Sequence, residues 1–143
     1  SKRGMMRLLQ GDVGSGKTIV GLVAALAAID AGYQVAIMVP TEILAQQHAL
    51  KVGELLAGLP VNLAILTSAS KKKDELKQEI SNGEIDLVIG THALIEQDVA
   101  FHSLGLVTID EQHRFGVVQR ALIEEKGEDV DLLVMSASPA SLQ

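Results

Sequence analysis

The stretch from Gly11 to Thr18 constrains this chain more than any other, because it fits the phosphate-binding pattern G-x-x-x-x-G-K-[ST]. An apolar run precedes it and a longer one follows, which predicts a strand before the loop and a helix after it. In that context, backbone N–H groups and a helix N-terminus converge on a polyphosphate. Lys17 is expected to reach the β and γ phosphates, and the Thr18 hydroxyl to bind Mg²⁺. The residues predicted to bind the nucleotide are Gly11, Asp12, Val13, Gly14, Ser15, Gly16, Lys17 and Thr18.

The alternative for this stretch is a glycine-rich strand-to-helix turn that binds nothing.

Composition limits which classes of protein the chain can belong to. With 143 residues, 48% of them hydrophobic, it is expected to form a single domain over 1–143. A net charge of −6 and three aromatic residues argue against a self-sufficient module for single-stranded nucleic acid. DNA as a partner would therefore be held weakly, through backbone phosphates.

Several other classes of protein are disfavoured by composition. The longest uncharged apolar run, Ile19 to Ile29, is about half the roughly 20 residues that a membrane span requires. A soluble protein without a membrane partner is therefore expected. The absence of cysteine suits a reducing compartment such as the cytoplasm, and four scattered histidines make no plausible zinc site.

Strand and helix patterns alternate along the chain, which predicts an α/β fold with a doubly wound, mainly parallel sheet. The helix after the loop is apolar nearly all round and is expected to be covered on both sides. A second helix opens at Thr41 and is expected to bury one face. The expected strands are 5–10, 35–39, 61–66, 85–89, 104–109 and 132–135. The expected helices are 16–31, 41–57, 71–80 and 117–126. The apolar face expected for the second helix consists of Leu44, Val52, Leu55 and Leu56.

Three lysines lead the helix predicted at 71–80, at the end where the helix dipole disfavours positive charge. A solvated helix start is the favoured interpretation of these lysines. A phosphate-binding patch is the alternative.

Asp110 and Glu111 directly follow a strand of the buried type, 93 residues after Lys17. Ligands of open α/β sheets bind at the carboxyl ends of the strands, so both motifs are expected to face one nucleotide. Asp110 is expected to hold Mg²⁺ through its water shell, and Glu111 to orient the attacking water. The alternative is a structural pair of surface carboxylates.

Four stretches of the chain resemble the RecG-type ATP-dependent DNA helicases of superfamily 2. The most discriminating is Asp110-Glu111-Gln112-His113-Arg114-Phe115-Gly116-Val117, followed by Gln119-Arg120. The others are the loop at 10–18, the stretch Val39-Pro40-Thr41-Glu42-Ile43-Leu44-Ala45-Gln46-Gln47-His48, and Ile89-Gly90-Thr91-His92-Ala93-Leu94-Ile95. Transcription-repair coupling translocases are similar, but tend to carry Glu-Gln where this chain has Gln112-His113.

The resemblance implies a P-loop NTPase of the RecA-like type, the first of two motor domains, with ATP and Mg²⁺ as ligands. It also implies that Thr41 and Thr91 contact the DNA backbone. Gln112 and His113 would face the cleft between the motor domains. Ser136 and Ser138 would couple hydrolysis to strand movement. Thr41 is equally well explained as a helix N-cap.

The chain departs from the family pattern near its end and in one loop. Ser138-Pro139 is followed by Ala140-Ser141 where the family has Ile-Pro-Arg, and Thr67-Ser68-Ala69 stands where it often has Thr-Gly-Ser, so no role is carried onto that loop. The favoured function is half of a DNA helicase or translocase motor. It is expected to bind ATP but to turn it over poorly without the second domain. The alternative from another class is a nucleotide-responsive binding module that never hydrolyses.

Overall fold

The computed structural model describes residues 6–9, 15–96, 98–110 and 130–135, and for 6–9, 15–20, 110 and 131–135 it describes the backbone alone. The helix expected at 117–126 lies outside these residues. Within them the strands are β1 (Met6–Leu9), β2 (Gln34–Met38), β3 (Leu63–Leu66), β4 (Leu87–Gly90), β5 (Leu104–Asp110) and β6 (Asp131–Met135). The helices are α1 (Ser15–Asp30), α2 (Glu42–Leu55) and α3 (Lys73–Ser81), with a short 3₁₀ turn at His92–Ile95.

The six strands form one sheet in the order β1-β6-β5-β2-β4-β3, and every pair of neighbours is parallel. Helices α1 and α2 pack on one face, around Val35, Val52 and Ile89. Helix α3 and the 3₁₀ turn pack on the other face, around Met38, Ile80 and Leu94. The doubly wound parallel α/β fold expected from the sequence is therefore confirmed.

Helix α1 ends where glycine permits a left-handed turn. Gly32 has a φ of +95°. Its N–H donates to the Ile29 carbonyl at 2.9 Å, and the Tyr33 N–H donates to the Ala28 carbonyl at 3.0 Å. These two bonds are those of a Schellman motif, which satisfies carbonyls that the helix end leaves unpaired. The helix stop expected at Gly32 is confirmed.

Two expectations about the helices are wrong. Leu55, expected on the buried face of α2, is 45% exposed, whereas Leu56 is buried. The helix ends at Leu55, and at 100° per residue the two side chains point in clearly different directions. Helix α3 begins at Lys73 rather than at Lys71, because Lys72 adopts a left-handed conformation with a φ of 57°.

The amino-terminal edge of the sheet is held by the buried side chain of Gln34. Its Nε2 donates to the carbonyls of Ile80 at 2.9 Å and Ile85 at 2.8 Å. Its Oε1 accepts from the Ser103 N–H at 2.9 Å. One amide therefore connects β2 to the end of α3 and to the segments that enter β4 and β5.

A β-bulge lies beside this amide. Gln34 pairs with Leu104 and Val35 with Leu106, so Gly105 is the extra residue of β5. A Cβ at Gly105 would lie 2.5 Å from Tyr33 Cβ, which means that only glycine fits beneath the tyrosine.

Candidate functional site

The carboxyl ends of all six strands are level. The pairing of neighbouring strands connects one residue from each strand into a single row across the sheet, made of Leu8, Val134, Ile109, Met38, Gly90 and Leu66. At about 4.8 Å between neighbouring strands, the row spans about 24 Å. The residues that follow this row form one edge, which we call the carboxyl rim. The site residues predicted from the sequence all follow a residue of this row by ten positions or fewer in the chain.

One half of the carboxyl rim carries the nucleotide motifs. Leu9, Met135 and Asp110 lie side by side in the next row, at the ends of β1, β6 and β5. Two strand spacings separate the Leu9 and Asp110 backbones, which is about 10 Å. The phosphate-binding stretch starts after Leu9, and α1 begins at Ser15. Two motifs 93 residues apart in the chain therefore begin two strands apart at one edge of the sheet.

The structure describes only part of this half. Ser15, Gly16, Lys17 and Thr18 occupy the first turn of α1, and Asp110 ends β5. Residues predicted to bind nucleotide or to couple hydrolysis to movement also lie outside the described residues, namely Gly11, Asp12, Val13, Gly14, Glu111, Gln112, His113, Ser136 and Ser138. The backbone brings together at one edge the N-terminus of α1, the strand-end residue Asp110 and the points where the two motifs begin. This arrangement suits a polyphosphate with its metal.

Thr41 lies on the other half of the rim, after β2, and caps α2. Its Oγ1 accepts from the Leu44 N–H at 3.2 Å, so the capping role expected from the sequence is present. Thr41 is also exposed, which leaves its hydroxyl accessible from solvent. Capping and a contact with a ligand are therefore compatible in this geometry.

Thr91 follows β4 and is 3% exposed. In the described part of the chain, its Oγ1 is buried and has no hydrogen-bond partner. Burying such an atom costs free energy unless a hydrogen-bond partner satisfies it.

The 3₁₀ turn that starts at His92 brings the chain back over the sheet. Gly90 is required there, because a Cβ would collide with the backbone carbonyl of Leu66 and with the Leu94 side chain.

The loop after β3 belongs to the same edge, although no role was predicted for it. The Thr67 N–H donates to Ser70 Oγ at 2.9 Å, and the Ala69 N–H donates to Thr67 Oγ1 at 3.2 Å. Ser68 Oγ donates to Glu42 Oε1 at 2.9 Å. These bonds fix the loop against the first turn of α2, beside Thr41. The available sequence signal was the serine and threonine directly after an apolar strand, since such side chains bond nearby backbone in turns.

The three consecutive lysines lie directly before α3 and at its first residue. Lys71 and Lys72 are exposed and precede α3, and Asp74 and Glu75 follow in its first turn. The acidic pair suits the helix N-terminus and offsets the lysine charge. The solvated helix start favoured from the sequence agrees with this exposure.

Helix α3 is tied to the loop after the 3₁₀ turn by an ion pair. Lys77 Nζ donates to Asp98 Oδ2 at 2.6 Å. This hydrogen bond raises the pKa of the Lys77 ammonium above its ordinary value of 10.5. The pair lies on the face opposite α1 and α2, away from the nucleotide half of the rim.

Among the described residues, no three His, Cys, Asp or Glu side chains are grouped so that they could hold a metal ion. None of the helices described has the length and apolar character needed to cross a membrane.

A protein-family model described as DEAD/DEAH box helicase matches residues 2–143. Two curated relatives are each named ATP-dependent DNA helicase RecG. The relative from Thermotoga maritima is 54% identical over 141 residues, which is 97% of this chain and 18% of the relative. The relative from Bacillus subtilis is 55% identical over 137 residues, covering 94% of this chain and 20% of the relative. The chain therefore spans about a fifth of the length of these relatives.

Solved structures agree with the family model. A structure of RecG bound to a three-way DNA junction matches 99% of this chain and 19% of that chain, with a TM-score of 0.85 and 50% identity. The Mycobacterium smegmatis helicase Lhr, bound to single-stranded DNA and AMP-PNP, matches with a TM-score of 0.78 at 14% identity, which bears on the fold alone. Together with the parallel sheet, these matches establish the RecA-like α/β fold.

Proposed function

Since this chain belongs to the DEAD/DEAH-box helicases and is a RecG-type motor domain, we propose that it is the ATP-binding half of a motor that moves on branched DNA. In this proposal ATP hydrolysis drives the movement, in recombination and repair. The observation that carries the proposal is the alignment of Leu9, Met135 and Asp110 at one edge of the sheet. This alignment supports the proposal, because two distant motifs that bind one triphosphate have to start near each other.

The residues of the nucleotide half suit ATP with Mg²⁺. Lys17 would pair with the β and γ phosphates, while the N–H groups from Gly11 to Thr18 bond the phosphate oxygens. The Thr18 hydroxyl and the Asp110 carboxylate are oxygen ligands of the kind that Mg²⁺ prefers. Bound Mg²⁺ would neutralise charge that develops on the phosphates. Glu111 would orient the attacking water.

The other half of the rim would contact the DNA backbone. Thr41 is exposed at the start of α2 and is accessible to a phosphate, whereas the Thr91 hydroxyl is buried and would have to become exposed before it could bond one. A phosphate is an acceptor that a threonine hydroxyl bonds without reading sequence. Gln112 and His113 would face the second motor domain. Ser136 and Ser138, which follow β6, would couple hydrolysis to movement.

We expect this chain alone to bind ATP and to hydrolyse it feebly. The second RecA-like domain would supply an arginine finger, and such residues contribute about 10³ to 10⁵ in rate in other phosphoryl-transfer systems. DNA binding by this chain alone should also be weak. The net charge is −6, and Lys71 to Lys73 is the longest run of basic residues.

The experiment that tests the proposal is Glu111→Gln in the full-length polypeptide. ATP affinity should stay within about two-fold of the parent, because amide and carboxylate differ little in size, while DNA-stimulated hydrolysis should fall by about 10² or more. The control is Glu54→Gln, a change at an exposed carboxylate of α2 that should leave both unchanged. Hydrolysis unaffected by Glu111→Gln would overturn the motor mechanism. Absence of hydrolysis in the parent, with ATP binding retained, would favour a nucleotide-responsive binding module.

A further inference from the structure

The buried hydroxyl of Thr91 has no hydrogen bond in this structure. Thr91 is 3% exposed, and its Oγ1 finds no partner among the residues that the structure describes. Valine has nearly the same size and would bury no polar atom there. Thr67, the corresponding residue after the neighbouring strand β3, is also buried, but its Oγ1 accepts from the Ala69 N–H at 3.2 Å. A buried hydroxyl left unpaired at such a position indicates that the protein uses it in another state.

Thr91 lies on the same side of the sheet as α2. Ile89 packs with α1 and α2, whereas a Cβ at Gly90 would meet the Leu94 side chain, which packs on the opposite face. The backbone of Thr91 is extended, with a φ of −98° and a ψ of −157°. Because successive residues of an extended chain point to opposite faces, Thr91 points to the side of α2, as Ile89 does.

A hydrogen bond joins the chain across the end of β4 on this side. Strand β4 lies between β2 and β3 in the sheet. Glu42 is in the first turn of α2, which follows β2, and Ser68 is in the loop that follows β3. Ser68 Oγ donates to Glu42 Oε1 at 2.9 Å, and we call this bond the rim bridge. Ser68 is exposed and Glu42 is half-buried, so the rim bridge lies nearer to solvent than the buried Thr91 hydroxyl.

A DNA phosphate would compete with the rim bridge. Thr41, the exposed threonine proposed to contact the DNA backbone, directly precedes Glu42. A phosphate bound there would repel the Glu42 carboxylate and would accept a hydrogen bond from Ser68 Oγ. A single exposed hydrogen bond between side chains opens readily, because water replaces each partner. Once the bridge is open, the Thr91 hydroxyl beneath it gains a route to the phosphate.

We propose that the rim bridge is a latch, which covers the Thr91 hydroxyl in the absence of DNA and opens when a DNA phosphate binds beside Thr41. In the open state Thr91 Oγ1 donates to that phosphate. Ser68 and Glu42 are positioning residues that control access to Thr91. The proposal rests on the proposed function, because it takes the DNA backbone as the ligand of this half of the rim. The latch itself does not depend on ATP hydrolysis.

Maleimide labelling of a Thr91→Cys thiol measures whether the latch covers position 91. The full-length polypeptide is used without DNA, with any other cysteines replaced. Adding Ser68→Ala or Glu42→Ala should speed labelling by about three-fold or more, because losing the bond raises the open fraction. Adding Glu42→Gln, which keeps an acceptor, should leave the rate within about two-fold. The control is Ser81→Ala, which removes a bond of the same 2.9 Å length, to the Gln78 carbonyl in α3, and should leave the rate unchanged.

Two results of the labelling experiment would overturn the proposal. One is an unchanged rate when Ser68→Ala is added, because the bridge would then not cover position 91. The other is an equal rise with Ser81→Ala, because the loss of any exposed hydrogen bond would then have the same effect.

Affinity for a forked DNA duplex tests whether the latch acts through Thr91. In the full-length polypeptide, Ser68→Ala should tighten DNA binding by about two-fold or more, because less of the protein is closed. Thr91→Val should weaken binding, and in that background Ser68→Ala should have no effect. An equal effect of Ser68→Ala in both backgrounds, or full affinity in Thr91→Val, would overturn the proposal.

The DNA measurement does not use Thr91→Cys, so it decides the question even if that variant fails to fold. A parent protein without DNA-stimulated ATP hydrolysis would refute the proposed motor instead. The labelling rates and the DNA affinities would still be measurable in that case, so the two failures are distinguishable.

Discussion

Gln34 offers the sharpest test of how the sheet is held together, because one buried amide serves three backbone groups from distant parts of the chain. The change Gln34→Leu keeps nearly the same side-chain size but removes both donors and the acceptor. The Ile80 and Ile85 carbonyls lose a donor, and the Ser103 N–H loses an acceptor.

The cost can be worked out from what each group retains. The Ile80 carbonyl still accepts from the Gly83 N–H at 3.2 Å, so it is not left unpaired. The Ile85 carbonyl and the Ser103 N–H lose contacts that are part-buried. An unsatisfied buried group costs about 1 to 3 kcal/mol, and partial access of water puts these two near the lower end. The free energy of unfolding should therefore fall by about 2 to 3 kcal/mol.

Urea unfolding measures this loss directly. With a slope of about 2 to 3 kcal/mol per M, the midpoint should fall by about 1 M. The matched control is Gln78→Leu at an exposed position of α3, which should change the unfolding free energy by less than about 0.5 kcal/mol. If Gln34→Leu proves as stable as the control, the amide does not hold the amino-terminal edge and the account of that edge is wrong.

Three further changes test the rim and the opposite face. Thr41→Ala should lower the free energy of unfolding by about 1 kcal/mol, because the helix cap is lost. Thr41→Asp should keep the cap but weaken DNA-stimulated hydrolysis by the full-length protein. Equal hydrolysis by Thr41→Asp and the parent would mean that Thr41 only caps the helix. Gly90→Ala should destabilise the protein by about 2 kcal/mol or more in thermal unfolding, because the new Cβ would collide with backbone. Gly53→Ala in α2 is the control, and it should be neutral or stabilising because the nearest atom to its Cβ lies at 3.8 Å. The reverse order of stability would contradict this packing. Asp98 raises the pKa of Lys77 in the folded state. The parent should therefore have a larger free energy of unfolding than Lys77→Gln below pH 10.5, and the difference should decline as the pH rises through the folded pKa. A difference that stays unchanged above that range would argue against the pair.

The elements of the fold could be predicted because the local signals are strong. Parallel strands buried on both faces have continuous apolar runs, and the run from Val35 to Val39, which contains most of β2, is closed by Pro40. Gly32 marks the end of α1 because glycine takes the positive φ of that position at little cost. The parallel topology alone also predicts which edge of the sheet binds ligands.

The order and register of the strands could not be read from the sequence. Both depend on which faces the crossover helices cover, and this is decided by packing between distant residues. The level row from Leu8 to Leu66 is therefore new information. It divides the rim into a nucleotide half on β1, β6 and β5 and a half on β2, β4 and β3 that carries Thr41 and Thr91.

Single side chains were harder to predict where the backbone changes direction. Leu55 and Leu56 are equally apolar, and only the position of the helix end decides which of them faces the core. The polar residue Gln34 gave no sequence signal for its buried role, because its three partners are brought together by tertiary structure. The roles predicted for residues at 11–14, 111–129 and 136–143 stay predictions.

The central claim is that two distant motifs hold one triphosphate and its magnesium, and ATP titration with and without Mg²⁺ tests it most directly. Lys17→Ala should weaken ATP binding by about ten-fold or more, which is about 1.4 kcal/mol. Asp110→Asn should remove most of the gain in affinity that Mg²⁺ gives the parent. If Lys17→Ala binds ATP as the parent does, or if Asp110→Asn keeps the full effect of Mg²⁺, the two motifs do not form one site.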